Sequence, residues 1–148
     1  MSMNLFSDPM SVAQYVETAP RNVPGYFDLH RMALTLLTEN ASEHANILVI
    51  AAGGGLELRS FSEARLNWSF VGVDPSQPML DLASQVLGPL GARVELIKGY
   101  AEDAPTRQFD GVTCFLAMHF LPVAERFRVL RALKDRLAPG APLSIAHH

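Results

Sequence analysis

Residues 47–58 constrain the fold more than any other stretch, reading Ile-Leu-Val-Ile-Ala-Ala-Gly-Gly-Gly-Leu-Glu-Leu. An apolar run breaks on three glycines and resumes with helix formers. Such a run, without polar alternation, reads as a parallel strand buried on both faces. Glycines permit the sharp turn that follows and let backbone approach a ligand where a Cβ would clash. The next helix is expected to aim its free N–H groups at that ligand, which suits a carboxylate or phosphate. A nucleotide-like ligand is therefore the leading expectation.

A second apolar run, Trp68-Ser69-Phe70-Val71-Gly72-Val73-Asp74, ends on an acid. Asp74 stands 21 positions after Gly53, close to the offset at which a doubly wound fold places a ribose-binding carboxylate. A carboxylate there can accept hydrogen bonds from both ribose hydroxyls. A helix then opens with Ser76 as N-cap and Pro78 tolerated in its first turn.

The remaining pattern alternates strands with helices. Strands are expected at 46–51, 69–73, Val94–Lys98, 110–115 and Leu143–Ala146, and helices at Leu56–Ala64, Gln77–Leu87 and 123–137. Upstream, a short helix is expected near 11–18 and a better one at 26–39, where Leu29, Met32, Ala33, Leu36 and Leu37 form an apolar stripe. In the last helix, Phe127, Leu130 and Leu133 share a face and five arginine or lysine residues lie elsewhere. Alternation of this kind demands a parallel sheet with right-handed crossovers. The expected fold is α/β, a Rossmann-like, doubly wound, mostly parallel sheet in three αβα layers.

With 148 residues the chain suits one domain with a real core. Hydrophobic residues at 49% and charged residues at 18% fit a globular rather than a disordered protein. The net charge of −3 argues against broad electrostatic capture of nucleic acid. The single cysteine, Cys114, excludes an internal disulfide and sits in an apolar run, as a small core residue does. Residues 1–10 show no signal peptide and no run reaches transmembrane length, so a cytoplasmic location is expected. Adjacent His147 and His148 cannot complete a coordination sphere. They read as native residues or a purification tag, and no metal site is expected.

Together these pieces resemble the class I S-adenosylmethionine-dependent methyltransferases. The matching stretches are residues 47–55, Val71-Gly72-Val73-Asp74-Pro75-Ser76 with Met79-Leu80, and Lys98-Gly99-Tyr100-Ala101-Glu102-Asp103. Phe109-Asp110-Gly111-Val112 leading to Met118-His119-Phe120-Leu121, and Leu137-Ala138-Pro139-Gly140-Ala141-Pro142-Leu143, complete the set. Residues 45–146 carry it in the family's order and spacing. More faintly, Arg21-Asn22-Val23-Pro24-Gly25-Tyr26 resembles the pre-core segment of the carboxy-S-adenosylmethionine synthase group.

The resemblance implies a division into a helical entry or lid segment, residues 1–40, and a donor-binding core, residues 41–148. The family's core continues past strand five, so this sheet is expected to be cut short there, as in a fragment, or to have its edge covered by a partner chain. Gly53, Gly54 and Gly55 would pass beneath the methionyl and ribose parts of S-adenosylmethionine, and Asp74 would hold the ribose hydroxyls. Pro75 and Met79 would border the adenine, Ala101 and Glu102 would meet its edge, and Phe115 and Leu116 would floor the sulfonium. Arg21 would pair with the methionyl carboxylate, and His119 is the one candidate base. Val49, Ala51 and Tyr100 depart from the family's pattern of an acid, a glycine and an aspartate, and Phe115 stands where the carboxy-S-adenosylmethionine synthases carry a polar residue.

The expected function is methyl transfer from S-adenosylmethionine, with S-adenosylhomocysteine as product, to a small-molecule acceptor. Alternatives are a non-catalytic binding or scaffold domain and a tRNA wobble-uridine modification enzyme; a homodimer also stays open. A nicotinamide-dependent oxidoreductase fits less well, because Leu58 stands where a dinucleotide-binding loop wants its third glycine.

Overall fold

The structure, a computed structural model, describes residues 6–147; the first five residues of the expected entry segment and His148 lie outside it. Five strands, β1 (Asn46–Ile50), β2 (Ser69–Asp74), β3 (Val94–Lys98), β4 (Gly111–Phe115) and β5 (Leu143–Ala146), form one sheet in the order β3-β2-β1-β4-β5. Every pairing is parallel. The helices are α1 (Pro9–Asn22), α2 (Tyr26–Thr38), α3 (Leu56–Ala64), α4 (Gln77–Leu87) and α5 (Val123–Asp135).

Successive side chains of a strand point to opposite faces, and here both faces are covered. Ile47 and Val49 join Ala33 and Leu37 of α2, Leu58 and Phe61 of α3 and Leu87 of α4. Leu48 and Ile50 join Val129, Ala132 and Leu133 of α5 on the other face. That is why the β1 sequence is apolar without alternation. The order reverses between β1 and β4, so the crevice at their carboxyl ends is the topological switch point, where open α/β sheets bind ligands.

Several boundaries move from those expected. Helix α1 starts earlier because Asp8 caps it, accepting from the Ser11 N–H at 2.9 Å, and it carries Pro20 in its final turn. Strand β1 stops one residue early because Ala51 turns into the left-handed region at φ 58°. Strand β2 runs on to Asp74, β4 starts at Gly111, and α5 ends at Asp135.

Two helices also present different faces. In α2 the buried stripe is Tyr26, His30, Ala33 and Leu37, leaving Met32 and Leu36 60% and 48% exposed. In α5 the buried stripe is Val129, Ala132 and Leu133, and Phe127 is 68% exposed. Arg136, one of the five basic residues off the Phe127 face, is buried just past α5. There it donates hydrogen bonds to the carbonyls of Glu102, Ala104 and Ala132 and pins the turn Ala101–Asp103 beneath α5.

Candidate functional site

A cavity of about 700 Å³ opens at the carboxyl ends of β1, β2 and β4. Its position follows from the chain's local chemistry. After β1 the backbone must leave the sheet, and Ala51 does so at φ 58°; after β4, Leu116 does the same at φ 56°. Left-handed geometry costs a residue with a Cβ roughly 1–2 kcal/mol, and such strain collects at functional sites. These two residues flank the crevice between β1 and β4.

The N–H groups of the glycine loop are spent inside the protein. The Gly53 N–H donates to Asp74 Oδ2 at 2.9 Å, the Gly54 N–H to the Met79 carbonyl at 3.2 Å, and the Gly55 N–H to the Ala52 carbonyl at 3.2 Å. None of these three donors is aimed at a ligand phosphate. The glycines serve close approach, here between parts of the protein itself. A Cβ at Gly53 would lie 2.7 Å from Asp74 Oδ2 and 3.0 Å from Met79. A Cβ at Gly54, whose φ is +83°, would lie 2.4 Å from the Tyr15 ring, and one at Gly55 would lie 2.8 Å from the backbone of Ala83 in α4.

Asp74 closes β2 with both carboxylate oxygens engaged, since Oδ1 accepts from the Ser76 N–H at 2.9 Å. Burial raises its ionisation above the ordinary carboxylate range, and the two backbone N–H groups oppose that rise. Each oxygen retains a second lone pair on the cavity wall. Ser76 caps α4 as expected, accepting from the Met79 N–H at 3.3 Å. Its hydroxyl also donates to the Phe6 carbonyl, which ties the entry segment to the site.

That segment roofs the cavity. Phe6, Ser7 and Tyr15 line it from above, with Tyr15 over Gly54 and the Phe6 ring edge-on to Phe120 at 6.1 Å. The Tyr15 and Tyr26 hydroxyls lie near each other. Burial raises both hydroxyls above their ordinary range, so they stay protonated.

Of the residues singled out from sequence, Gly53, Asp74, Pro75, Met79, Ala101, Glu102, Phe115 and Leu116 line this cavity together. Gly54 and Gly55 support it from behind, spacing Tyr15 and α4. Arg21 does not join them; it is exposed on the last turn of α1, whose inward residues are Val12 and Ala19. His119 lies outside the lining, its ring 4.1 Å from that of Phe120, while its neighbours Met118 and Phe120 reach the cavity. Tyr100 lines the rim at 53% exposure, its N–H donating to Asp103 at 2.8 Å.

Sequence reasoning missed Glu57. This residue in the first turn of α3 is buried, lines the cavity and accepts a hydrogen bond from the Thr113 hydroxyl. Burial pushes its carboxyl up to about 7. Thr113 is the register partner of Val49, so a helix carboxyl reaches the place where the strand itself is apolar. The available signal was Thr113, a hydroxyl within an otherwise apolar strand, which must find a partner when buried. His30 was missed as well: it lines the cavity from α2, 3.4 Å from the Ser60 hydroxyl, and burial lowers it to about 4.

Among the described residues no group of three or more histidine, cysteine or acidic side chains is placed to hold a metal ion, and no helix is long and apolar enough to cross a membrane.

Comparison with known proteins bears on this arrangement. A family model described as a methyltransferase domain matches residues 47–140. No curated protein matches the chain. Among solved structures, a DhpI–SAM–HEP complex is 22% identical with a TM-score of 0.69, covering 98% of this chain and 66% of that one. PKMT2 from Rickettsia typhi in complex with AdoHcy is 22% identical with a TM-score of 0.61, covering 74% of this chain and 23% of that one. The sugar N-methyltransferase KedS8 from a Streptoalloteichus species is 24% identical with a TM-score of 0.66, covering 78% of this chain and 46% of that one. The chain thus spans a quarter to a third of the PKMT2 structure and of an O-methyltransferase homologue from Nostoc punctiforme, at 23% and 34%. At these identities the likeness establishes the fold. The family model covers well over half of the sequence, and with it the glycine loop, Asp74 and the strand-four segment; the chain belongs to the methyltransferase domain family, on the class I fold of the S-adenosylmethionine-dependent methyltransferases.

Proposed function

We propose that the cavity binds S-adenosylmethionine and that the protein transfers its methyl group to a small-molecule acceptor. One observation carries this reading: Asp74 and Gly53 meet on the cavity wall, across the carboxyl ends of β1 and β2, with no room for a Cβ between them. That juxtaposition leaves a flat backbone floor beside a carboxylate able to accept two ribose hydroxyls. The occupied glycine N–H groups favour a donor without phosphates over a dinucleotide. Leu58, packed in the core against the space left by Gly72, also argues against a third loop glycine.

On this reading Pro75, Met79 and Ala101 border the adenine, and Phe115 and Leu116 form the floor near the reacting centre. The donor supplies an electrophilic methyl on a sulfonium. The protein's part is to orient an acceptor in line with that methyl and to exclude water, which contributes most of the rate when the acceptor is already nucleophilic. The entry segment supports both tasks by closing Phe6 against Phe120 and Tyr15 against Gly54.

The charge of the lining favours a neutral or cationic acceptor. Glu57, Asp74, Glu102 and Glu125 face the cavity, and its one arginine, Arg128, pairs with Glu102 at 2.8 Å. A phosphate-rich acceptor such as tRNA meets no free cation among the described lining residues. Solved structures on the same fold include glycopeptide and sugar N-methyltransferases, which fits a small acceptor. Thermal unfolding with S-adenosylmethionine, S-adenosylhomocysteine and NADH added separately tests the reading. A ligand at about 100 times its Kd stabilises by about 2.7 kcal/mol. A rise with the two adenosyl compounds alone is expected; a rise with NADH alone, or with none, rejects it.

A further inference from the structure

We propose that Glu57 is the anchor for a primary ammonium group on a ligand held in the cavity. The inference starts from a carboxyl group placed where carboxyl groups are costly. Glu57 is 9% exposed and lies on the cavity wall. A buried ionisable group is normally matched by an opposite charge. No lysine or arginine among the described residues pairs with Glu57, and its one hydrogen bond there comes from the neutral Thr113 hydroxyl.

The groups packed around Glu57 do not supply the missing charge. From α1 and α2 it is faced by Tyr15 and Tyr26, whose hydroxyls stay protonated and neutral, burial and the Glu57 charge both disfavouring their ionised form. Burial, reinforced by the Glu57 charge, pushes the Cys114 thiol of β4 up to about 12. Asp74 at the end of β2 adds a second negative charge near Tyr15. His30 of α2 stays neutral, since burial lowers it to about 4. An ammonium group supplies what this wall lacks: one positive charge, with three donors for the Glu57 carboxylate and the tyrosine oxygens.

Two ligands carry that chemistry, the methionyl end of the donor and an amine acceptor. The proposal rests on the functional reading above only for the choice of adenosyl probes. Binding is measured by isothermal titration calorimetry with S-adenosylhomocysteine, which has the ammonium, and with 5′-methylthioadenosine, which lacks it. Phenethylamine and 2-phenylethanol form a second pair, amine against alcohol. If the donor is the source, Glu57→Gln weakens S-adenosylhomocysteine roughly tenfold to a hundredfold and leaves 5′-methylthioadenosine unchanged. If the acceptor is the source, the same variant weakens phenethylamine and spares 2-phenylethanol. A variant that alters neither pair overturns the proposal. Should S-adenosylhomocysteine fail to bind the wild type, the functional reading fails, and the amine–alcohol pair still decides the anchor.

The wild-type protein gives a readout that needs no variant. With Glu57 rising to about 7 in the free protein, capture of an ammonium releases a proton near neutral pH. Affinity for the amine-bearing probe is then expected to rise about eightfold from pH 6 to pH 7.5, with proton release seen as a buffer-dependent binding enthalpy. Affinity flat across that range with no proton release overturns the proposal as well.

Discussion

Replacing Glu57 by glutamine is expected to change how stability depends on pH. Burial raises the Glu57 carboxyl from an ordinary value of 4.5 to about 7. Between those values the folded protein binds more protons than the unfolded chain. Its contribution is therefore fully present below about pH 4.5 and is lost as pH rises through 7. At about 1.4 kcal/mol per pH unit the loss amounts to about 3 kcal/mol. His30 works in the opposite sense, because burial lowers it from 6.5 to about 4; its contribution is present above pH 6.5 and is lost as pH falls through 4. The two slopes oppose each other between about pH 4.5 and 6.5, so the wild-type profile is flattened there. Glutamine keeps an oxygen to accept from Thr113 and removes only the Glu57 slope. Urea unfolding of both proteins at pH 4.5, 5.5, 6.5 and 8 isolates it, since His30 and all other groups cancel in the difference. The variant should gain about 3 kcal/mol on the wild type between the lowest and highest pH. Parallel profiles would show that Glu57 is not the buried, cation-free acid described here.

Other perturbations reach different parts of the account. Gly54→Ala places a Cβ at φ +83° and 2.4 Å from the Tyr15 ring, so it should cost about 1–2 kcal/mol and speed proteolysis within α1; unchanged cleavage would detach Tyr15 from the loop. Asp74→Ala should weaken S-adenosylhomocysteine about tenfold or more, as loss of a charged hydrogen-bond acceptor does, and calorimetry showing equal affinity would remove Asp74 from the donor site. Arg136→Met leaves the carbonyls of Glu102, Ala104 and Ala132 without their donor. It should lower stability by about 3 kcal/mol, and a melting point within a degree of wild type would contradict that role.

The features legible in the sequence were those set by local backbone chemistry. Glycines after an apolar run, an acid ending the next run and a serine before a proline-bearing helix each act over a few residues, and Gly53, Asp74 and Ser76 stand where that chemistry puts them. What stayed hidden depends on pairings across the fold. Glu57 meets Thr113 across 56 positions, and only the assembled sheet brings that strand beneath the first turn of α3. The partners of the glycine N–H groups were hidden for the same reason, since Asp74 and the Met79 carbonyl that occupy two of them arrive from β2 and α4. In α2 the apolar residues offer two overlapping stripes. The sheet selected the one through Tyr26, His30, Ala33 and Leu37, because His30 and Tyr26 face the cavity while Ala33 and Leu37 fill the core above β1. The role of Arg136 stayed hidden because a buried arginine is recognisable only once the carbonyls it holds are in place.

The central claim is that the cavity at the carboxyl ends of β1, β2 and β4, walled by Asp74 and Gly53, holds the adenosyl donor. Isothermal titration of the wild-type chain with S-adenosylhomocysteine tests it most directly. The account predicts saturable one-to-one binding that Asp74→Ala weakens. Absence of binding up to about 1 mM, where the free energy falls to about −4 kcal/mol, or binding indifferent to Asp74, would contradict it.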